Sequence, residues 1–234
     1  MPFRSAALAL LLVAGSVDAQ EVPPATTPPV AAMPAPVPPP APIADLLRVG
    51  LKTSLGTITI ALDKGKAPLT VANFLRYVDQ KRFDGITFYR ALSFPQPVPV
   101  GLVQAGIRGR SDKQLPPVKH EPTSQTGLAH VDGAVSMARA APGTARGDFF
   151  IIIGTGLGAL DANDKDPGYA VFGHVVEGMD VVRQILGSPT SATAGEGAMK
   201  GQMIVAPVVV ATARRVKAAP MPPPAAALPP AGRR

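Results

Sequence analysis

Proline decides where this chain can fold. Residues 20–42 carry ten of its 28 prolines, interleaved with alanine and valine, and 216–234 ("VKAAPMPPPAAALPPAGRR") repeat that style. Proline fixes φ, removes a backbone donor and disfavours helix in the residue before it. At this density neither a helical nor a strand period survives, and the expected state is extended polyproline II, a semi-rigid spacer. The segments 20–45 and 216–234 are therefore read as disordered tails. Between them lies 46–215, long enough to bury one sizeable core.

The first nineteen residues read differently. Arg4 supplies a positive end, "AALALLLVAG" a short apolar run, and Val17-Asp18-Ala19 a small-residue cleavage site. That is the pattern of a secretory signal, expected to be cut after Ala19 to release a periplasmic protein without membrane insertion. There is no cysteine, so an exported domain must rest on a hydrophobic core rather than a disulfide framework. The net charge is +7, but the basic residues are scattered and have few aromatic neighbours. Nucleic acid is not the expected partner.

Inside 46–215 the pattern is mostly short strands. "LLRVGLKTS" and "GTITIALD" flank a turn at Ser54–Gly56, and Ile58, Ile60 and Leu62 share one face. Pro68 suits a first helical position, and Val71, Phe74, Leu75 and Val78 follow at helical spacing, predicting a helix that stops near Lys81. Further strands are expected at 86–92, 101–105, 133–139, 149–153 and 170–176. "GMDVVRQIL" is expected to form a second helix, and "MIVAPVVVATARRV" a closing strand. Many short strands with two helices predict a barrel or sandwich with helical caps.

Several chemistries find no support in the sequence. The three histidines lie near no nucleophile elbow. His120, Glu121 and His130 lack helical ligand spacing, so no metal is expected. Gly154, Gly156 and Gly158 follow an apolar strand as a dinucleotide-binding turn would, but Asp161, Asn163, Asp164, Asp166, Pro167 and Gly168 make the sequel a loop rather than the helix such a turn requires.

One stretch, "GITFYRAL", poses a question. Strict alternation puts Ile86, Phe88, Arg90 and Leu92 on one face. Either a bulge turns Arg90 outward, or Arg90 is a cationic donor held beside an apolar pocket.

The distributed motifs "APLTVANFLRYV", "FDGITFYR", "GLVQAG", "GAVSMARAAPGTARGDFFI" and, most specifically, "YAVFGHVVEGMDVVRQI" occur in one collinear order over nearly all of 48–214. Together they resemble the cyclophilin family of peptidyl-prolyl cis–trans isomerases. The resemblance implies a mainly β fold: a closed eight-stranded antiparallel barrel capped by two α-helices, with the groove on its outer surface. It implies catalysis without cofactor or metal, by a monomer acting on proline-containing unfolded or flexible polypeptides. It places Arg90 at the catalytic arginine and Gln104 at the groove glutamine. Phe150 becomes the floor of the proline pocket, with Leu102, Leu160 and Tyr169 around it. Ala138 and Arg139 fall on the strand that meets the substrate backbone, Arg139 mainly through its own backbone.

Departures from the family pattern are Gly101 for a groove phenylalanine, Asp148 for a glutamine, Ala159 for a tryptophan, and a longer segment between Arg90 and Gln104. In that segment Phe94 is expected to fold back over the proline slot and replace the missing ring. Two other readings remain open at this stage: a proline-peptide-binding module of the same fold without catalysis, and an envelope protein acting through its Pro-rich tails.

Overall fold

The computed structural model describes residues 47–94 and 99–217. The signal segment, the 20–45 tail and nearly all of the C-terminal tail lie outside the described residues. So do Pro95 and Pro97.

Strand β1 (Leu47–Thr53) and strand β2 (Gly56–Leu62) form the expected hairpin, in register from Leu47↔Leu62 to Thr53↔Gly56. Alternation drives it: Val49, Leu51, Ile58, Ile60 and Leu62 are all fully buried. Helix α1 (Pro68–Asp79) begins at its proline, and Val71, Phe74, Leu75, Tyr77 and Val78 face the core. Its free N-terminal donors are met from far along the chain. The Glu121 carboxylate accepts from Leu69 N at 3.1 Å, from Thr70 N at 2.7 Å and from Thr70 Oγ1 at 2.6 Å.

The remaining elements are β3 (Ile86–Phe94), β4 (Val100–Gly106), the one-turn helix α2 (Thr123–Thr126), β5 (Ala134–Met137), β6 (Asp148–Ile153) and β7 (Val171–Glu177). After these come α3 (Met179–Leu186), β8 (Thr190–Ser191) and β9 (Met203–Val216). Neighbours run β1-β2-β7-β5-β6-β4-β3-β9, and β9 pairs again with β1. This closes an eight-stranded antiparallel barrel, and the two-residue β8 is only a fringe on β9. Closure leaves no free edges among the eight strands. The structure adds α2 to the two expected helices.

Two apolar layers result. Inside the barrel and under α1, Phe74 lies within 5.0–5.4 Å, centroid to centroid, of Phe83, Phe149 and Phe172. Outside it, Leu102, Phe150, Ile152 and Val171 form a second cluster, with Leu92, Leu160 and Tyr169 packed against it. A strand of a closed barrel normally presents polar residues outward. This outer apolar cluster therefore sets its face of the barrel apart.

Candidate active site

The site begins with an irregularity. Against β4, Phe88 pairs with Ala105 but Arg90 with Gln104, which leaves Tyr89 as an extra residue. The same break occurs against β9, where Phe88 faces Val208 and Arg90 faces Met203. A bulge places two consecutive side chains on one side of the sheet. Ile86 and Phe88 accordingly enter the core, while Tyr89 and Arg90 both line the outer cleft. The expected single face for Ile86, Phe88, Arg90 and Leu92 is thus corrected. The two answers to the Arg90 question also merge, because the bulge that turns Arg90 outward is what delivers it to a pocket.

That cleft has a volume of about 880 Å³ and is lined by Arg90, Leu102, Gln104, Ala138, Arg139, Phe150, Leu160 and Tyr169. Of the expected site residues, Phe94 is the one not brought there. It ends β3 opposite Val100, is 42% exposed and lies apart from the cleft lining. The antiparallel pairing of β3 with β4 continues to Phe94, which carries it along the hairpin rather than back over the slot. The departure at Gly101 has a steric reason. A Cβ there would lie 2.0 Å from the Leu92 carbonyl oxygen, so close strand packing dictates glycine and no groove side chain fits. Leu92, on the facing strand, lines the cleft beside Leu102 instead.

The apolar half is built on Phe150, 4% exposed. Tyr169 stands edge-on to it, with centroids 5.4 Å apart and planes at 88°. Behind Phe150 lies His130, nearly parallel at 5.8 Å. The His130 Nδ1 is 2.6 Å from Asp161 Oδ1 and its Nε2 is 3.0 Å from Ser136 Oγ. Burial pushes the His130 pKa down, although Asp161 opposes the shift. The neutral ring therefore donates from Nδ1 to Asp161 and accepts the Ser136 hydroxyl at Nε2. This aspartate–histidine–serine series resembles a hydrolytic relay, but Ser136 is 0% exposed and no substrate carbonyl can reach its hydroxyl. Its visible effect is to brace the ring that floors the slot.

Arg139 does more than its backbone was expected to do. Its guanidinium carbon lies 4.8 Å from the centre of the Tyr169 ring, its Nε donates to Gly168 O at 3.0 Å, and Nη2 donates to Asp166 Oδ1 at 3.1 Å. The side chain thus holds the wall of the slot in place.

The polar half is a chain of hydrogen bonds. Arg90 Nε donates to Gln202 Oε1 and Nη1 to Gln104 Oε1, both at 2.8 Å. Gln104 Nε2 donates to the Tyr89 hydroxyl at 2.7 Å, and Tyr89 donates to Asp148 Oδ1 at 3.0 Å. The guanidinium therefore has structural partners within the chain. Burial pulls the Arg90 pKa down, yet arginine remains cationic at every physiological pH. Among the described residues, nothing accepts from Nη2, and this edge remains for a ligand. Sequence reading did not assign Tyr89 or Gln202 to the site. Tyr89 was hidden by the assumption of strict alternation, and Gln202 lies 112 residues from Arg90 with no local signal.

A restrained cationic donor beside an aromatic slot on the wall of a closed barrel is an arrangement that can hold an extended peptide by an apolar ring. Among the described residues, no serine, cysteine or histidine lines it. The comparisons agree with this class. The model of the cyclophilin type peptidyl-prolyl cis–trans isomerase/CLD family matches residues 48–210, and the chain belongs to that family. It is 38% identical over 147 residues to a peptidyl-prolyl cis–trans isomerase of Acinetobacter baylyi, covering 61% of this chain and 73% of that one. It is 36% identical over 173 residues to one from Streptomyces antibioticus, covering 71% and 96%. A crystal structure of a cyclophilin type isomerase from Cryptosporidium parvum shares the fold, with a TM-score of 0.56 at 15% identity, over 74% of this chain and 99% of that one.

Proposed function

We propose that this cleft accelerates cis–trans isomerisation of Xaa–Pro bonds in unfolded or flexible polypeptides of the periplasm, with Arg90 as the electrostatic donor. The observation that carries the reading is the Arg90 guanidinium. Gln104 and Gln202 hold it on two edges, and its third edge is free beside the slot floored by Phe150.

The chemistry follows from the bond. Rotation about a peptide C–N bond must cross a barrier of about 18–20 kcal/mol because resonance is lost. In the twisted state the lone pair localises on nitrogen, so a donor aimed at that atom binds the transition state better than either planar form. A preorganised donor in a site that excludes water contributes about 3–4 kcal/mol. The rest comes from holding the proline ring against Phe150, Leu102 and Leu160 while the chain on the other side of the bond turns. No covalent bond forms or breaks, so no nucleophile or general base is required.

Restraint of Arg90 is what makes the donor effective. A free guanidinium would lose side-chain entropy on engaging the substrate, whereas one already held by two glutamines loses little. Ala138 and Arg139, just beyond β5, border the path of the substrate chain, and Arg139 fixes Tyr169 at its side.

The test is exchange spectroscopy on a short Xaa–Pro peptide with the full chain at catalytic concentration. Acceleration of cis–trans exchange is expected. Saturable binding with unchanged exchange would instead establish the binding module.

A further inference from the structure

Asp148 is the unexpected member of the cleft. It opens β6, is half-buried, and sits at the far end of the hydrogen-bond chain that begins at Arg90. Its Oδ1 accepts both the Tyr89 hydroxyl at 3.0 Å and the Arg108 backbone N–H at 2.9 Å. The geometry points to Asp148 as a positioning residue for catalysis, one that fixes the direction of the Asp148–Tyr89–Gln104–Arg90 chain and so the aim of the Arg90 guanidinium. This inference rests on the isomerase reading above.

The argument is one of donors and acceptors. A carboxylate only accepts, and a guanidinium only donates. Tyr89 must therefore give its proton to Asp148, which leaves its oxygen to accept. Gln104 must then turn its Nε2 toward Tyr89 and its Oε1 toward Arg90. Every group between the two ends has a single allowed orientation. Each bond also polarises the next in such a chain. Burial strengthens the arrangement, since Gln104 is 7% exposed and Tyr89 4%.

Neutralising Asp148 frees one end. A protonated carboxyl can donate to Tyr89 and reverse that bond, so Tyr89 no longer presents a fixed acceptor to the amide of Gln104. The titration should occur above the ordinary carboxylate range, because burial pushes the Asp148 carboxyl up against the opposing effects of the Arg108 N–H and the Tyr89 hydroxyl. The charged and titratable groups around it are Tyr89 and Arg90 from β3, Tyr77 from α1, and Arg108 and Arg146 from the loops beside the cleft. Tyr89 and Tyr77 are both pushed up and stay protonated throughout. The arginines stay charged. Glu196 also lines the cleft, but it is exposed and outside the chain. His130 lies behind Phe150 and would titrate equally in any variant at position 148.

The experiment compares wild type with Asp148→Asn and Asp148→Leu in the full chain, following kcat and KM against pH together with the side-chain amide resonances of Gln104. Asparagine, like the protonated carboxyl, offers both an acceptor oxygen and a donor, whereas leucine offers neither. Wild-type kcat should fall as pH drops through the elevated Asp148 pKa, and the Gln104 amide should shift with the same midpoint. Asp148→Asn should lose both titrations and hold kcat at the reduced level that wild type reaches at low pH, and Asp148→Leu should lower kcat about tenfold with KM little changed. A Gln104 amide that ignores pH in wild type overturns the proposal. So does a folded Asp148→Leu protein with wild-type kcat. A wild-type protein without isomerase activity overturns the underlying reading. The Gln104 titration tells that failure apart from a failed relay, because it needs no turnover.

Discussion

Arg139 shows how a residue in this site acts through its neighbour. Its guanidinium lies over Tyr169 and ties down the Gly168 carbonyl, and Tyr169 in turn meets Phe150 edge-on. A cation–π contact of this kind is worth about 0.5–2 kcal/mol. We expect Arg139→Ala to loosen the wall of the slot and raise KM for an Xaa–Pro peptide several-fold with kcat little changed, as steady-state kinetics would report. Unchanged KM would make the contact incidental. At this scale the sequence was legible wherever family motifs named a position: Arg90, Leu102, Gln104, Ala138, Phe150, Leu160 and Tyr169 all meet in one cleft. It was not legible where meaning depends on a partner. Asp148 reads as a bare departure until Tyr89 is seen 3.0 Å away. His130 reads as a stray histidine until Phe150, Asp161 and Ser136 surround it.

At the scale of elements, local pattern and long-range contact divide the work. The β1–β2 hairpin and helix α1 were visible in alternation and helical spacing, because each buries a face whose period is written locally. The bulge at Tyr89 was not, since an extra residue leaves composition unchanged and shifts only the register. Nor was α2, a single polar turn whose helical form depends on its surroundings. Helix α1 also depends on a residue that no local rule could nominate. Pro68 removes one of its free N-terminal donors, and Glu121, only 3% exposed, takes the next two together with the Thr70 hydroxyl. Losing that carboxylate strands buried donors, each at a cost of about 1–3 kcal/mol. Chemical denaturation of Glu121→Ala should therefore show a loss of about 2–4 kcal/mol, with Glu121→Gln recovering part of it. A loss within experimental error for the alanine variant would mean that water replaces the carboxylate at the helix end.

For the whole molecule, the decisive event is the pairing of the first strand with the last. Strand β9 lies between β1 and β3, joining Arg48↔Val216 at one end and Ile86↔Val210 further along. Nothing in a short window announces that contact; it entered only through the collinear resemblance. Closure is what turns Phe150, Leu102 and Leu92 into an outer apolar surface and brings Gln202 from the segment before β9 against Arg90. The site is thus a property of the closed barrel, and its chemistry converges on one side chain. The direct measurement is proline-limited refolding of a client protein catalysed by wild type and by Arg90→Ala, with a thermal melt on each sample. Loss of the Arg90 donor should lower kcat/KM by a few hundredfold, equivalent to about 3–4 kcal/mol of transition-state stabilisation. The melt should stay cooperative and drop only modestly, because Gln104 Oε1 loses a donor worth about 1–3 kcal/mol. Arg90→Lys, which keeps the charge without the rigid fork, should also lose a large part of the rate. Undiminished catalysis by folded Arg90→Ala protein would contradict the central role given to this arginine.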